Sequence, residues 1–283
     1  MNKKIIIAII VIAIIIAGVF IGIKTQTKEK GDSLQKVLSK KTFILGLDDS
    51  FPPMGFRNEN NEIVGFDIDV AREVCKRLNV ELVVQPISWT AKEQELNSYN
   101  IDCIWNGMSI NNDRKEAMCL SNPYLKNNMT FVVKKDSNIN SINDLKGKKV
   151  GVQAGSTAEE ILQGAEISKD LSQVVTYSEN ITAFMDMEIN QTDAVFIDDV
   201  VANYYITSNN KDYRVLSDVL EEEEYAIGFR KNDTELCEKV NDILAEIEAN
   251  IEPLKKQSEK AKKFLDLREE LKSIEVGLFV YII

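Results

Sequence analysis

Short apolar runs alternate with stretches of helical apolar spacing, and they do so twice between residues 42 and 205. Residues 42–47 and 80–86 read as strands. Between them Val70, Val74 and Leu78 recur at helical spacing, ending near Asn79. Residues 92–99 read as a short helix, and 101–105 as a third strand interrupted by Asp102. A second round follows, with strands at 129–134, 149–152, 174–177 and 193–197, and helices at 158–162, 181–189 and 200–205. This β-α-β rhythm predicts mainly parallel sheets with helices on their faces, so the fold class is α/β and two similar lobes are expected. Residues 225–229 return toward the first lobe, and 236–247 form a last helix. In such sheets ligands bind beyond the carboxyl ends of the strands. The polar loops at 48–51, Trp89 and 107–114 all lie at that end.

The stretch 106–114, Asn-Gly-Met-Ser-Ile-Asn-Asn-Asp-Arg, carries the chemistry of the first lobe. Gly107 has no Cβ and lets backbone approach a ligand. Ser109 offers a hydroxyl, and Arg114 a planar fork that matches a carboxylate in bidentate fashion. Asn112 or Asp113 is expected to cap the helix that follows, whose first amides attract anions. These parts describe a receptor for a small carboxylate; the competing reading is an ordinary strand–turn–helix with a surface arginine.

Composition removes several alternatives. A net charge of -11 over 283 residues excludes the basic face of a nucleic-acid binder. The chain has no histidine, which rules out a Ser-His-Asp triad, a Cys-His pair and a His-ligated zinc site. Cys75, Cys103, Cys119 and Cys237 form no CxxC motif, so no metal or redox centre is indicated. They read as buried free thiols, with a single disulfide left open for a protein outside the cell.

Lys3 and Lys4 precede residues 5–23, which carry no charge. Nineteen helical residues span roughly 28 Å, about the hydrocarbon thickness of a bilayer. The segment reads as an uncleaved signal-anchor, with a cleaved signal peptide as the second reading, and places the rest of the chain outside the cytoplasmic membrane. Residues 24–41 read as a polar tether. At the other end, residues 251–283 alternate in charge and finish in an apolar run. The stretch 254–280 resembles part of a coiled-coil arm of structural-maintenance-of-chromosomes proteins, so the tail reads either as a fusion artefact joined near Asn250 or as a lineage-specific amphipathic helix.

The stretches 65–69, 106–114, 145–152, 155–157 and 193–195 resemble, in order and spacing, the extracytoplasmic solute-binding proteins of polar-amino-acid ABC transporters. The resemblance runs from about Thr42 to Asn250. It implies a two-lobed periplasmic-binding-protein-like fold of type II. Two crossover strands near 124–128 and 221–225 would serve as the hinge, with lobe 1 at 42–127 and 225–250 and lobe 2 at 128–224. It also implies that Arg114 pairs with the α-carboxylate of an amino acid, aided by Gly107, Ser109 and the Thr157 amide. Asp198 would accept from the α-ammonium, or merely cap the following helix. Phe51 and Trp89 would wall the side chain, or be core aromatics; Asp48 would face its polar or cationic tip, or cap its own turn. Gln153 and Ile197 depart from residues carried by some relatives and weaken any glutamine specificity.

The expectation is therefore a tethered, monomeric receptor without cofactor or chemistry, delivering a polar or cationic amino acid to the permease subunits of an ABC importer by cleft closure. A sensory partner role and a dehydratase-like enzyme on the same fold are the alternatives. The enzyme needs a general acid in the cleft, and no carboxyl beyond those that balance ligand charge is apparent.

Overall fold

The computed structural model describes residues 32–208 and 211–250; the expected membrane anchor, most of the tether and the tail lie outside these residues. Two sheets form two lobes. In lobe 1, β5 (Glu81–Pro86), β1 (Thr42–Leu47) and β6 (Cys103–Ile104) run parallel, and β13 (Gly228–Arg230) and β7 (Met118–Leu120) complete the order β5-β1-β6-β13-β7. In lobe 2 the order is β10 (Gln173–Tyr177), β9 (Lys149–Gln153), β11 (Ala194–Asp198), β8 (Leu125–Lys134), β12 (Tyr213–Tyr225). The first three are parallel, and β8 and β12 are antiparallel to their neighbours.

β8 leaves lobe 1 and β12 returns to it, paired from Leu125↔Tyr225 through Glu221↔Met129. These strands are the two crossovers. Apolar alternation explains the sheets: Phe43, Leu45 and Leu47 of β1 are fully buried, as are Val150 and Val152 of β9. Helix α2 (Phe66–Leu78) lays Ile68, Ala71, Val74 and Leu78 on the lobe 1 core and closes at Asn79, whose φ of 55° ends the helix.

Three local expectations are corrected. The second half of the tether is a helix, α1 (Ser33–Lys40): Val37 is buried and Leu34 and Leu38 pack beside it, an i, i+3, i+4 stripe hidden among charges. The turn at 48–53 belongs to a small antiparallel sheet of β2 (Ser50–Phe51), β3 (Gly55–Arg57) and β4 (Ile63–Val64). The third strand shortens to two residues because Asp102 turns inward. It accepts the Ile44 N–H at 2.7 Å and pairs with Lys40 at 2.7 Å.

Candidate functional site

Several lobe 1 groups of the site follow strand ends. Asp48 follows β1, Trp89 follows β5 just before α3 (Lys92–Asn97), and Asn106 and Gly107 follow β6, while Phe51 lies in β2. Arg114 rides on α4 (Asn112–Ala117), whose cap is Asn111, one residue before Asn112 and two before Asp113, the expected caps; its side chain accepts the Arg114 N–H at 2.8 Å. Lobe 2 answers with Gln153 at the end of β9, with Ser156 and Thr157 at the start of α5 (Thr157–Gly164), and with Asp198 at the end of β11. Ser156 caps α5, accepting the Glu159 N–H at 3.2 Å.

Phe51, Trp89, Gly107, Ser109, Arg114, Thr157 and Asp198 line one cavity between the lobes, together with Asn106, Gln153 and Ser156. The space among these residues is about 300 Å³, part of it open to solvent, of which about 20 Å³ admits the centre of a water-sized sphere. Asp48 is not in the lining. Its carboxylate accepts Ser50 N and Oγ at 2.9 and 2.7 Å and Gln153 Nε2 at 2.5 Å, so it caps its own turn and ties the lobes together.

The lobes meet at several polar contacts besides this one. Thr157 Oγ1 donates to Ser109 Oγ (3.1 Å), Asn111 Nδ2 to Glu160 Oε2 (2.7 Å), and Lys92 Nζ to Gly155 O (3.0 Å). Gly155 has φ +68°, and a Cβ there would approach Thr90 Cγ2 to 3.3 Å, so the jaws touch closely at that point. The arrangement is closed.

The charges inside are unusual. Arg114 is 4% exposed and makes no ion pair among the described residues; Nη1 donates to the Ser109 carbonyl at 2.7 Å. Burial pulls its pKa below the ordinary arginine value, opposed by Glu160, Glu223, Glu93 and Asp198. Across the cleft, burial pushes Asp198 up to about 7, although the Tyr225 hydroxyl donates to it at 2.5 Å. Asn127 Nδ2 donates to the same oxygen at 2.7 Å. Tyr225 and Asn127 both belong to the crossover strands.

Two expected ligand donors are engaged with protein groups. The Gly107 N–H donates to Asp67 Oδ2 at 2.7 Å, and the Ser109 hydroxyl donates to Glu223 Oε2 at 2.8 Å. At Gly107, φ is +54° and a Cβ would meet the Phe51 ring at 2.8 Å, so glycine is required by the turn and by ring packing alike.

Glu223 was not singled out in the sequence because it sits within the acidic run 221–224. Pairing opposite Asn127 turns it inward, and burial raises its pKa. It is a further carboxyl beside the cleft, contrary to the expectation that none is present. Lys92, which donates across the cleft, has no counterpart in the sequence reading, whereas Gln153 and Asn106 figure there without a contact of their own. Gln153 is clamped by Asn180 Nδ2 on its own lobe at 3.1 Å. Among the described residues no cluster of potential metal ligands occurs.

The model of the bacterial extracellular solute-binding proteins, family 3, matches residues 43–260. The chain is 31% identical over 217 residues to the L-cystine-binding protein TcyJ of Escherichia coli (strain K12), covering 76% of this chain and 80% of that protein. It is 35% identical over 223 residues to the arginine-binding extracellular protein ArtP of Bacillus subtilis (strain 168), covering 77% and 86%. Among solved structures, an ABC uptake transporter substrate-binding protein from Streptococcus pneumoniae with bound histidine superposes with a TM-score of 0.74 at 36% identity, covering 78% of this chain and 92% of that one.

Proposed function

The chain belongs to the bacterial extracellular solute-binding proteins, family 3, and from that membership we propose that it captures one free amino acid by closing its lobes and hands it to the permease of an ABC importer. One observation carries this reading: a buried arginine with no ion pair among the described residues and a buried carboxylate face the same cavity from opposite lobes. An amino acid is a zwitterion, so Arg114 takes the α-carboxylate and Asp198 the α-ammonium. Neither lobe alone satisfies both ends, and ligand therefore favours the closed form.

Phe51 and Trp89 flank the guest's side chain, and Asn106 and Gln153 line the same cavity with their amides engaged by Asp48. Glu160, Glu223 and Asp198 around the site oppose an acidic guest. The cystine, arginine and histidine named for the relatives fit a polar or cationic ligand. The protein works outside the cytoplasmic membrane, held there by residues 5–23, and binds without turnover.

A thermal-shift screen of the proteinogenic amino acids with cystine and ornithine, on residues 31–250, identifies the ligand. Arg114→Ala then raises the Kd of the best hit by more than about 30-fold, since removing one member of a buried charge pair costs roughly 2–5 kcal/mol. Full affinity in that variant removes the carboxylate assignment. Mass spectrometry of the incubated ligand tests for turnover, and a converted product refutes the receptor reading.

A further inference from the structure

Cys119 and Cys237 lie on the two stretches of lobe 1 that flank the whole excursion into lobe 2. Cys119 sits in β7, shortly before the chain leaves along β8. Cys237 sits near the start of the helix over 234–250, shortly after the chain returns along β12. Cys119 packs against the lobe 1 core cluster that holds Cys237, and the two thiols are close enough to influence each other. Cys237 Sγ donates to the carbonyl of Leu120, the residue after Cys119, at 3.3 Å. Cys237 is buried in the lobe 1 core and Cys119 packs against it from a half-buried position.

We infer that Cys119 and Cys237 are a redox pair that closes to a disulfide on exposure to a thiol-oxidising disulfide, stapling β7 to the returning helix. The two groups are unequal in a way that suits the chemistry. Cys119 is half-buried and Cys237 buried, and the neighbouring Cys237 thiol and Lys231 ammonium lower the pKa of the Cys119 thiol. Cys119 therefore attacks first: its thiolate bonds to one sulfur of the oxidant's disulfide and expels the other sulfur as a thiolate. Cys237 then gives up its proton, bonds to the Cys119 sulfur and expels the second oxidant sulfur. Two protein thiols become one disulfide, and one oxidant disulfide becomes two thiols. Cys75 and Cys103 do not compete. Both are buried, with the Cys75 thiol pushed up to about 12 and Cys103 also raised by burial.

Both sulfurs belong to lobe 1, so the staple leaves the hinge free. The loop it closes, residues 119–237, holds the entire second lobe, and long loops give the largest constraint on the unfolded chain. A cross-link of this kind raises the unfolding midpoint by roughly 5–15 °C without altering ligand affinity.

The test uses the full chain, treated with oxidised glutathione or with dithiothreitol, then denatured, alkylated with iodoacetamide and weighed intact. All four cysteines of the reduced chain take label, whereas the oxidised chain takes two. Peptide mapping of the oxidised chain joins the peptides bearing Cys119 and Cys237. In Cys119→Ser the oxidant-dependent rise in midpoint disappears, while ligand affinity stays that of the parent. Four labels after oxidation, or a map joining Cys75 to Cys103, overturns the inference. The oxidation is done on purified protein, so its failure leaves the amino-acid reading standing, and loss of ligand binding in Arg114→Ala bears only on that reading.

Discussion

Replacing Asp67 by asparagine tests the electrostatics beneath the binding loop. The carboxyl is fully buried at the start of α2 and accepts the Gly107 N–H at 2.7 Å. The Tyr124 hydroxyl and the Trp105 indole stand beside it without completing a well-formed hydrogen bond, and the Cys103 thiol is within reach of its charge. Burial pushes Asp67 from the ordinary 3.8 up to about 7, against these weaker opposing bonds. The fold therefore favours its protonated form. Stability from this group is fully present below 3.8 and is lost as pH rises through about 7. Between pH 5 and pH 8 the loss is about 2.5 kcal/mol. Asparagine keeps the shape and the acceptor for Gly107 but does not titrate. Urea unfolding of the ligand-free protein, followed by tryptophan fluorescence at pH 5, 6, 7 and 8, measures the difference. The parent should gain about 2.5 kcal/mol more than Asp67→Asn on going from pH 8 to pH 5. Curves that stay parallel within about 0.5 kcal/mol, the spread of an ordinary surface change, refute the argument that a buried, half-satisfied acid lies under the loop.

Ligand binding has the opposite sign at Asp198. Only the ionised carboxylate pairs with an ammonium, so affinity falls as pH drops below about 7, approaching tenfold per pH unit; calorimetry from pH 7.5 to 5 checks this, and Asp198→Asn should bind weakly at every pH with a flat profile. Lys92→Met removes both the ammonium that sits over the Trp89 ring and the donor that crosses to Gly155. Its Kd should rise by roughly tenfold in a fluorescence titration, with the unfolding midpoint of the ligand-free chain little changed; an unaltered Kd shows that this contact does not favour closure.

The two-lobed plan is legible in the sequence because buried parallel strands read as apolar runs, and the helix over 66–78 shows its spacing and its terminal asparagine. Elements held by tertiary contact alone are not. β2, β3 and β4 have two or three residues each, too few for any period to show. The cap Asn111 stands one residue before Asn112 and two before Asp113 because neighbouring Asn and Asp side chains can all serve as caps, and only backbone geometry chooses between them. Among the site groups, Arg114 and Asp198 are marked by motif, and the structure brings both to one cavity. Glu223 was hidden in a run of four glutamates that looks like a solvated face. A faint signal exists: in 221–225 only Glu223 and Tyr225 are buried, a period of two that appears once the segment is read as a strand. Gln153 and Lys92 carry no motif, since each matters through a partner on the other lobe.

The bonds from Asn127 and Tyr225 to Asp198 come from the ribbons about which the jaws turn. A point near a fulcrum travels little for a given rotation, whereas the tips of the lever arms travel far. The carboxylate that the proposed function assigns to the amino end of the guest is therefore held by the strands that move least. The contacts Asp48–Gln153 and Asn111–Glu160 join one lobe to the other.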